Sequence, residues 1–216
     1  MNQTQRERLQ WIGLTMLGLI AGLALALPIG VPIFAVLGAM IGTPVVLSFV
    51  GLGLGSAQWP IIRRHVSRSG WWIAASILGM AVGLTIGVVL VEQIGRAITG
   101  GPINFRMLGS VARAASFGTI GFVAGASLGL SQWLVLRRHA TACGSWIAVN
   151  SWSLGMGLAV GSLVADVVVS RSGSLPSLGI MLMIGTGITG VFTARALTDI
   201  FRNAPTTSVL GTGITE

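Results

Sequence analysis

The chain has 216 residues, of which 53% are hydrophobic and only 8% charged, with a mean hydropathy of +0.87. Soluble domains carry about 25% charged residues, so this composition excludes a soluble globular protein. The formal net charge of +8 comes from arginine, because the chain has no lysine. The arginines lie between apolar runs, so membrane orientation and anionic headgroups explain them better than nucleic acid, which we do not expect as a partner.

Six runs of about 20 apolar residues predict an all-α integral membrane protein with six transmembrane helices. The predicted spans are 9–27, 33–57, 71–91, 107–131, 146–169 and 178–198. Pro28 and Pro32 predict the first connection, because proline stops a helix, and Pro44 is expected to face a neighbouring helix. Residues 171–177 predict a turn-rich link. Residues 1–202 are expected to form one transmembrane domain, followed by a polar, disordered tail at 203–216.

An internal repeat predicts how the helices are grouped. Residues 51–74 align with 125–148, with twelve identities in 24 positions. Each unit begins near Trp-Ile and ends near Gln-Trp, which predicts three parallel-repeat helical hairpins at about 9–59, 71–133 and 146–198. The third unit lacks the closing Gln-Trp.

Arginine placement predicts the orientation. With a cytoplasmic N-terminus, nine arginines fall inside and four outside, namely Arg96, Arg106, Arg113 and Arg171. This distribution follows the positive-inside rule and predicts that both termini are cytoplasmic.

Two residue types predict how the helices are held. Five tryptophans are expected as anchors at the cytoplasmic interface, where indole prefers the headgroup level: Trp11, Trp59, Trp72, Trp133 and Trp146. Small residues spaced four apart occur in every span, as at Gly79, Gly83 and Gly87. This spacing predicts close helix packing.

The repeated turns predict a basic cytoplasmic surface for acidic lipid headgroups or an acidic partner, with Arg6 and Arg8 nearby and only Glu7 to offset the charge. Its members are Arg63, Arg64, Arg68, Arg137 and Arg138. Gln58 and Gln132 are expected to cap free carbonyls where their helices end.

Three charged residues are predicted at the outer ends of the helices: Glu92, Asp166 and Arg113. We interpret them as interfacial charges that hold these ends together, with an ion or proton path as the alternative. Glu92 also stands four residues before Arg96, the spacing of an ion pair on one helix.

The histidines that follow each arginine pair, His65 and His139, raise the question of a cofactor. Imidazole ligates metals and chlorophyll magnesium, but adjacent arginines disfavour a cation. We therefore expect no metal and no catalytic residue, with bound chlorophyll or carotenoid as the minor alternative.

The motif Gly-x-x-x-Gly-x-x-Gln-Trp-x-x-(Ile/Leu)-Arg-Arg, followed by Gly and Trp-Ile, resembles that of multi-pass membrane proteins of cyanobacteria and other phototrophic bacteria. It is carried by Gly51, Gly55, Gln58, Trp59, Arg63 and Arg64, and by Gly125, Gly129, Gln132, Trp133, Arg137 and Arg138. The resemblance covers about a quarter of the chain. It implies a setting, a bacterial plasma membrane or thylakoid membrane, and no settled activity.

These observations predict a non-enzymatic accessory or structural subunit of a membrane complex, which the resemblance would make photosynthetic, in contact with lipid and other membrane subunits. The alternative is a small transporter or channel. It would need a polar path, for which the candidates are Thr43, Ser76, Ser116, Asn150, Ser151 and Ser153.

Overall fold

A computed structural model describes residues 2–105, 107–140, 143–169 and 175–202. Helix α1 (Gln3–Leu25) continues through a π-helical turn at Ala26–Gly30 into α2 (Val31–Ile62). Four more helices follow: α3 (Gly70–Thr99), α4 (Ser110–Leu136), α5 (Ser145–Val168) and α6 (Leu175–Arg202). These described residues contain six helical stretches that are long and apolar enough to cross a membrane, so the predicted all-α, multi-pass fold class is confirmed.

The six helices form a closed ring in which each packs against the next and α6 packs against α1. Neighbours are antiparallel: Gly79 near the start of α3 faces Leu128 near the end of α4, and Gly87 faces Ile120. Helices α1, α3 and α5 therefore run in one direction and α2, α4 and α6 in the other. This is the arrangement that parallel hairpin units require, although an internal duplication stays a prediction.

One end of the ring carries most of the arginines. It is formed by the starts of α1, α3 and α5 and the ends of α2, α4 and α6, and we call it the arginine-rich end. The sequence places Arg6, Arg8, Arg63, Arg64, Arg68, Arg137, Arg138, Arg195 and Arg202 there. We call the other end of the ring the opposite end. It contains Glu92, Arg96, Arg113 and Asp166.

The first chain reversal differs from the prediction. It lies near Gly38, whose φ of 71° breaks the helical path inside α2, and not at Pro28 and Pro32. Proline is tolerated in the first turn of a helix, where its missing N–H has no intrahelical acceptor, and Pro32 occupies such a position. Glycine takes positive φ without a steric penalty, so Gly38 provides the turn.

Glycine lets the helices meet at backbone distance. A Cβ built on Gly83 of α3 would lie 2.7 Å from Ala124 Cα, and one on Gly157 of α5 would lie 2.6 Å from Gly185 O. The contact between α6 and α1 is looser, because a Cβ on Gly190 would lie 3.3 Å from Ile12 Cα. Small residues thus shape the interfaces, as membrane helix pairs require.

Several predictions fall outside the described residues: the tail at 203–216, Arg106 and Arg171. The predicted link at 171–177 overlaps α6, since Leu175 already begins that helix. The predicted fourth span began at 107, whereas α4 begins at Ser110 and carries Arg113 in its first turn.

Candidate functional site

Three tryptophans meet on the axis of the ring at the arginine-rich end. Trp11, Trp72 and Trp146 stand near the starts of α1, α3 and α5, with ring centroids 5.9–6.3 Å apart. Their exposed fractions are 1%, 0% and 0%. The prediction that these three anchor the protein at the lipid headgroups is therefore wrong: their indoles face one another inside the protein.

Hydrogen bonds explain why indole N–H groups tolerate this burial. Trp72 Nε1 donates to Gln58 Oε1 at 3.2 Å, and Trp146 Nε1 donates to Gln132 Oε1 at 3.1 Å. Each bond joins the start of one hairpin to the end of the preceding one. A buried N–H without a partner destabilises the fold, so the glutamines remove the penalty for burying Trp72 and Trp146.

The same glutamines use their amide N–H groups as donors inside the bundle. Gln58 Nε2 donates to Thr15 Oγ1 at 3.1 Å, and Gln132 Nε2 donates to Ser76 Oγ at 2.9 Å. Both side chains are buried. The prediction that Gln58 and Gln132 cap helix-end carbonyls is therefore wrong, since they bridge helices instead.

The third hairpin fills the glutamine position with a different residue. Trp11 Nε1 donates to Thr193 Oγ1 at 2.9 Å. Gly190 precedes Thr193 by three residues and faces Ile12, as Gly55 faces Ile73 and Gly129 faces Ile147. Motif matching missed Thr193, because a hydroxyl replaces the amide and the adjacent tryptophan is absent.

Trp59 and Trp133 lie further from the axis and are only half-buried. The guanidinium of Arg63 lies 4.7 Å from the Trp59 ring centroid, and that of Arg137 lies 5.1 Å from the Trp133 centroid. These are cation–π contacts, so both arginines are oriented by their own helices.

All five residues of the predicted basic surface are exposed at the arginine-rich end. They are Arg63, Arg64, Arg68, Arg137 and Arg138. Besides Glu7, a second acid lies at this end. Asp199 of α6 lies 4.0 Å from Arg8, whose Nε also donates to Thr198 Oγ1 at 3.3 Å. The positive surface is therefore partly neutralised on the side of α1 and α6.

A groove of about 770 Å³ opens between α3 and α4 at this end. Its polar part contains Arg68, Arg138, Ser67 and His139, and its apolar part includes Trp71, Leu78 and Leu134. The basic and apolar parts follow one another along the helices, because Leu78 lies two turns deeper in α3 than Trp71. The groove thus combines positive charge at the helix ends with an aliphatic wall deeper in the bundle.

The two histidines have protein partners. His139 Nε2 lies 2.8 Å from Ser67 Oγ and its Nδ1 lies 3.2 Å from Val135 O, so a neutral ring with its proton on Nδ1 satisfies both contacts. The His65 ring stacks on Phe201 with centroids 4.2 Å apart. A metal or chlorophyll ligand role for His139 would have to displace one of its two polar contacts. Among the described residues, the structure brings together no group of three or more histidine, cysteine or acidic side chains.

Among the described residues, the charges at the opposite end form two separate pairs. Arg113 Nη2 of α4 lies 3.2 Å from Asp166 Oδ2 of α5, and both side chains are nearly buried. The same nitrogen donates to Leu108 O at 3.0 Å, whereas the carboxylate contact lacks hydrogen-bond alignment. Glu92 pairs instead with Arg96 on its own helix at 3.0 Å. The structure therefore joins α4 to α5 by charge and leaves Glu92 apart from that pair.

The residues predicted for a polar path mostly bond to their own helix. Ser76 donates to Trp72 O, Asn150 to Trp146 O and Ser151 to Ile147 O. Ser116 is half-buried and donates to Ala112 O. These polar atoms thus donate to carbonyls of their own helices, and Ser76 Oγ also accepts the bond from Gln132 of α4.

No protein-family model, no curated protein and no solved structure matches this chain.

Proposed function

We propose that this integral membrane protein is a non-enzymatic accessory or structural subunit of a membrane complex, and that it works through its outer surfaces. The observation that carries the proposal is the filled interior of the ring. A protein whose centre is packed with side chains offers its lipid-facing and end surfaces for recognition.

The packing along the axis supports this. At the arginine-rich end, the tryptophan triad belongs to one buried cluster with Ile62 and Leu136. Two further buried clusters continue below it, one containing Leu19 and Met80 and the other containing Leu158, with Leu84 packed against both. Buried apolar layers of this kind favour an accessory or structural role over a transporter, which needs a continuous polar path.

One exposed aromatic pair supports a partner in the membrane. Trp152 of α5 is 67% exposed on the outside of the ring and meets Phe122 of α4 edge to face, with centroids 5.3 Å apart. Its indole N–H has no acceptor within the part of the chain that the structure describes. An aromatic patch of this kind, inside a membrane span, suits the packing of another transmembrane helix.

The setting follows from the resemblance and stays a proposal: a bacterial plasma or thylakoid membrane, with the arginine-rich end cytoplasmic. That end would meet acidic lipid headgroups or an acidic partner.

The test is purification from native membranes in mild detergent, with mass spectrometry of co-eluting chains and an absorption spectrum for pigment. We expect a stoichiometric partner protein, lost from a Trp152→Ala, Phe122→Ala chain. Phe192→Ala is the control, because Phe192 of α6 is as exposed as Phe122 and lies elsewhere on the ring. A partner-free wild-type protein that carries an ion flux in proteoliposomes would contradict the proposal and favour the transporter alternative.

A further inference from the structure

We propose that the groove between α3 and α4 binds one anionic phospholipid, with its phosphate held by Arg68 and Arg138 and an acyl chain along Leu78 and Leu134. This names the ligand of the arginine-rich end and so rests on the proposed function of that surface.

The order of the lining residues matches the order of chemical groups in a phospholipid. Arg68 precedes α3 and Arg138 follows α4, so both stand at the helix ends, where a membrane places phosphate groups. Leu78 and Leu134 lie deeper on membrane-spanning helices and are exposed on the outer surface. Guanidinium binds phosphate oxygens in a bidentate manner, and the leucines offer acyl chains an apolar wall.

Charge supports an anionic lipid over a zwitterionic one. Two arginines line the groove, and no acidic residue is among its lining residues. His139 also lines the groove, and its ring nitrogens contact Ser67 Oγ and Val135 O, so it brings no negative charge to the site. An anionic headgroup gains from both guanidinium groups, whereas the cationic part of a zwitterionic headgroup would oppose them.

The backbone of Arg68 is a second, independent observation. Its φ of 59° makes it the non-glycine residue with positive φ among those that the structure describes. An arginine in the left-handed region is strained relative to the ordinary helical region, and glycine would avoid that strain. Arg68 therefore contributes something that glycine cannot, which in this position is a guanidinium at the mouth of the groove.

The other two hairpins provide an internal comparison. The shift that carries Trp11 onto Trp72 carries Glu7 onto Arg68, and Glu7 lines the pocket that it shares with Arg64 next to the groove between α1 and α2. That groove is also smaller, at about 360 Å³, with Pro60 and Arg64 among its lining residues. Between α5 and α6, Asp199 stands six residues after Thr193, as Arg138 stands six after Gln132. By corresponding sequence position, the α3–α4 unit is thus the one that pairs two arginines without an acid.

The experiment is native mass spectrometry of the full chain titrated with phosphatidylglycerol or phosphatidylcholine. We compare Arg68→Gln, Arg138→Gln with Arg6→Gln, Arg64→Gln, which removes the same charge from the α1 side. The first double variant should lower the affinity for the first phosphatidylglycerol by about tenfold or more. The control double variant should lower that affinity by about twofold or less. Phosphatidylcholine binding should be unchanged in both.

A third variant, Leu78→Trp, fills the apolar part of the groove without changing charge and should also displace the first phosphatidylglycerol. Glycerophosphoglycerol, the headgroup without acyl chains, should not compete at the concentrations that saturate with lipid. Equal losses in the two double variants, or full competition by the headgroup alone, would overturn the site. Thermal unfolding of each variant confirms that the chain is folded. Partner co-purification is measured separately with the Trp152 and Phe122 variants, so a failed lipid site leaves the accessory function standing.

Discussion

The indole N–H of Trp11 donates to the hydroxyl of Thr193 across 2.9 Å, and the two residues stand 182 positions apart in the chain. This bond closes the ring of helices, because it joins α1 to α6 where the glycine contact is loosest. The other two junctions on the axis use tryptophan and glutamine, so the third hairpin keeps the acceptor while losing the amide.

We expect Thr193→Val to destabilise the protein, because valine keeps the shape and removes the acceptor of the Trp11 N–H. The loss should be about 1–2 kcal/mol, the cost of a buried unpaired donor in a membrane bundle. Unfolding in detergent, followed by tryptophan fluorescence, measures it. Thr119→Val is the control, because Thr119 is half-buried and, among the described residues, its hydroxyl bonds to Ala115 O of its own helix and to no other helix. Equal stability of the two variants would show that the ring closure does not depend on this bond.

Apolar run lengths were sufficient to predict the six spans, because a membrane demands about 20 apolar residues from each helix. Whether each tryptophan side chain lies at the headgroups or inside the bundle could not be predicted from run length. Indole suits both a headgroup layer and a buried hydrogen bond, and the choice depends on whether Gln58 or Gln132 comes within reach after packing. Thr193 was missed for the same reason, since its role appears only when α6 meets α1.

Charge pairs were partly predictable from the sequence. The Glu92–Arg96 pair follows from helical spacing alone. The Arg113–Asp166 pair needs the antiparallel register of α4 and α5, which the glycine contacts set. Sequence placed both residues near one end, and packing made them partners. The groove between α3 and α4 likewise needs the fold, because its two arginines come from different turns.

The α3–α4 interface should not tolerate a methyl group at Gly83. In Gly83→Ala, the new Cβ would lie 2.7 Å from Ala124 Cα, so the helices must separate. We expect a loss of about 1–3 kcal/mol, which exceeds the gain of about 1 kcal/mol from helix propensity. Gly187→Ala of α6 is the control, because a Cβ there meets nothing within 4 Å. Thermal unfolding in detergent should show a lower midpoint temperature for Gly83→Ala and an unchanged one for Gly187→Ala. An unchanged midpoint for Gly83→Ala would contradict the close packing of α3 and α4.

The Arg113–Asp166 pair should behave as a coupled unit. Replacing one partner leaves the other charge nearly buried and unpaired, so Arg113→Met or Asp166→Leu alone should cost about 3 kcal/mol. The double variant should lose much less than the sum, because no lone charge remains. A double-mutant cycle on unfolding free energies measures the coupling. Additive losses would mean that the two charges act independently, as solvated interfacial residues do.

The thiol of Cys143 should react slowly in the folded protein. Cys143 lies between α4 and α5 at the arginine-rich end, is buried, and its Sγ lies 3.2 Å from Ala140 O. Burial raises the pKa of the Cys143 thiol above its ordinary value, so at any pH below that value a smaller fraction is the reactive thiolate. Labelling with N-ethylmaleimide at pH 7.5 or so should be at least about tenfold slower than in the denatured chain, and should accelerate as pH rises. Ser145→Cys in a Cys143→Ala chain is the matched control, because Ser145 is exposed two residues away. If Cys143 is labelled as fast as this exposed cysteine, the thiol is accessible in the folded protein, and the burial of Cys143 would be contradicted.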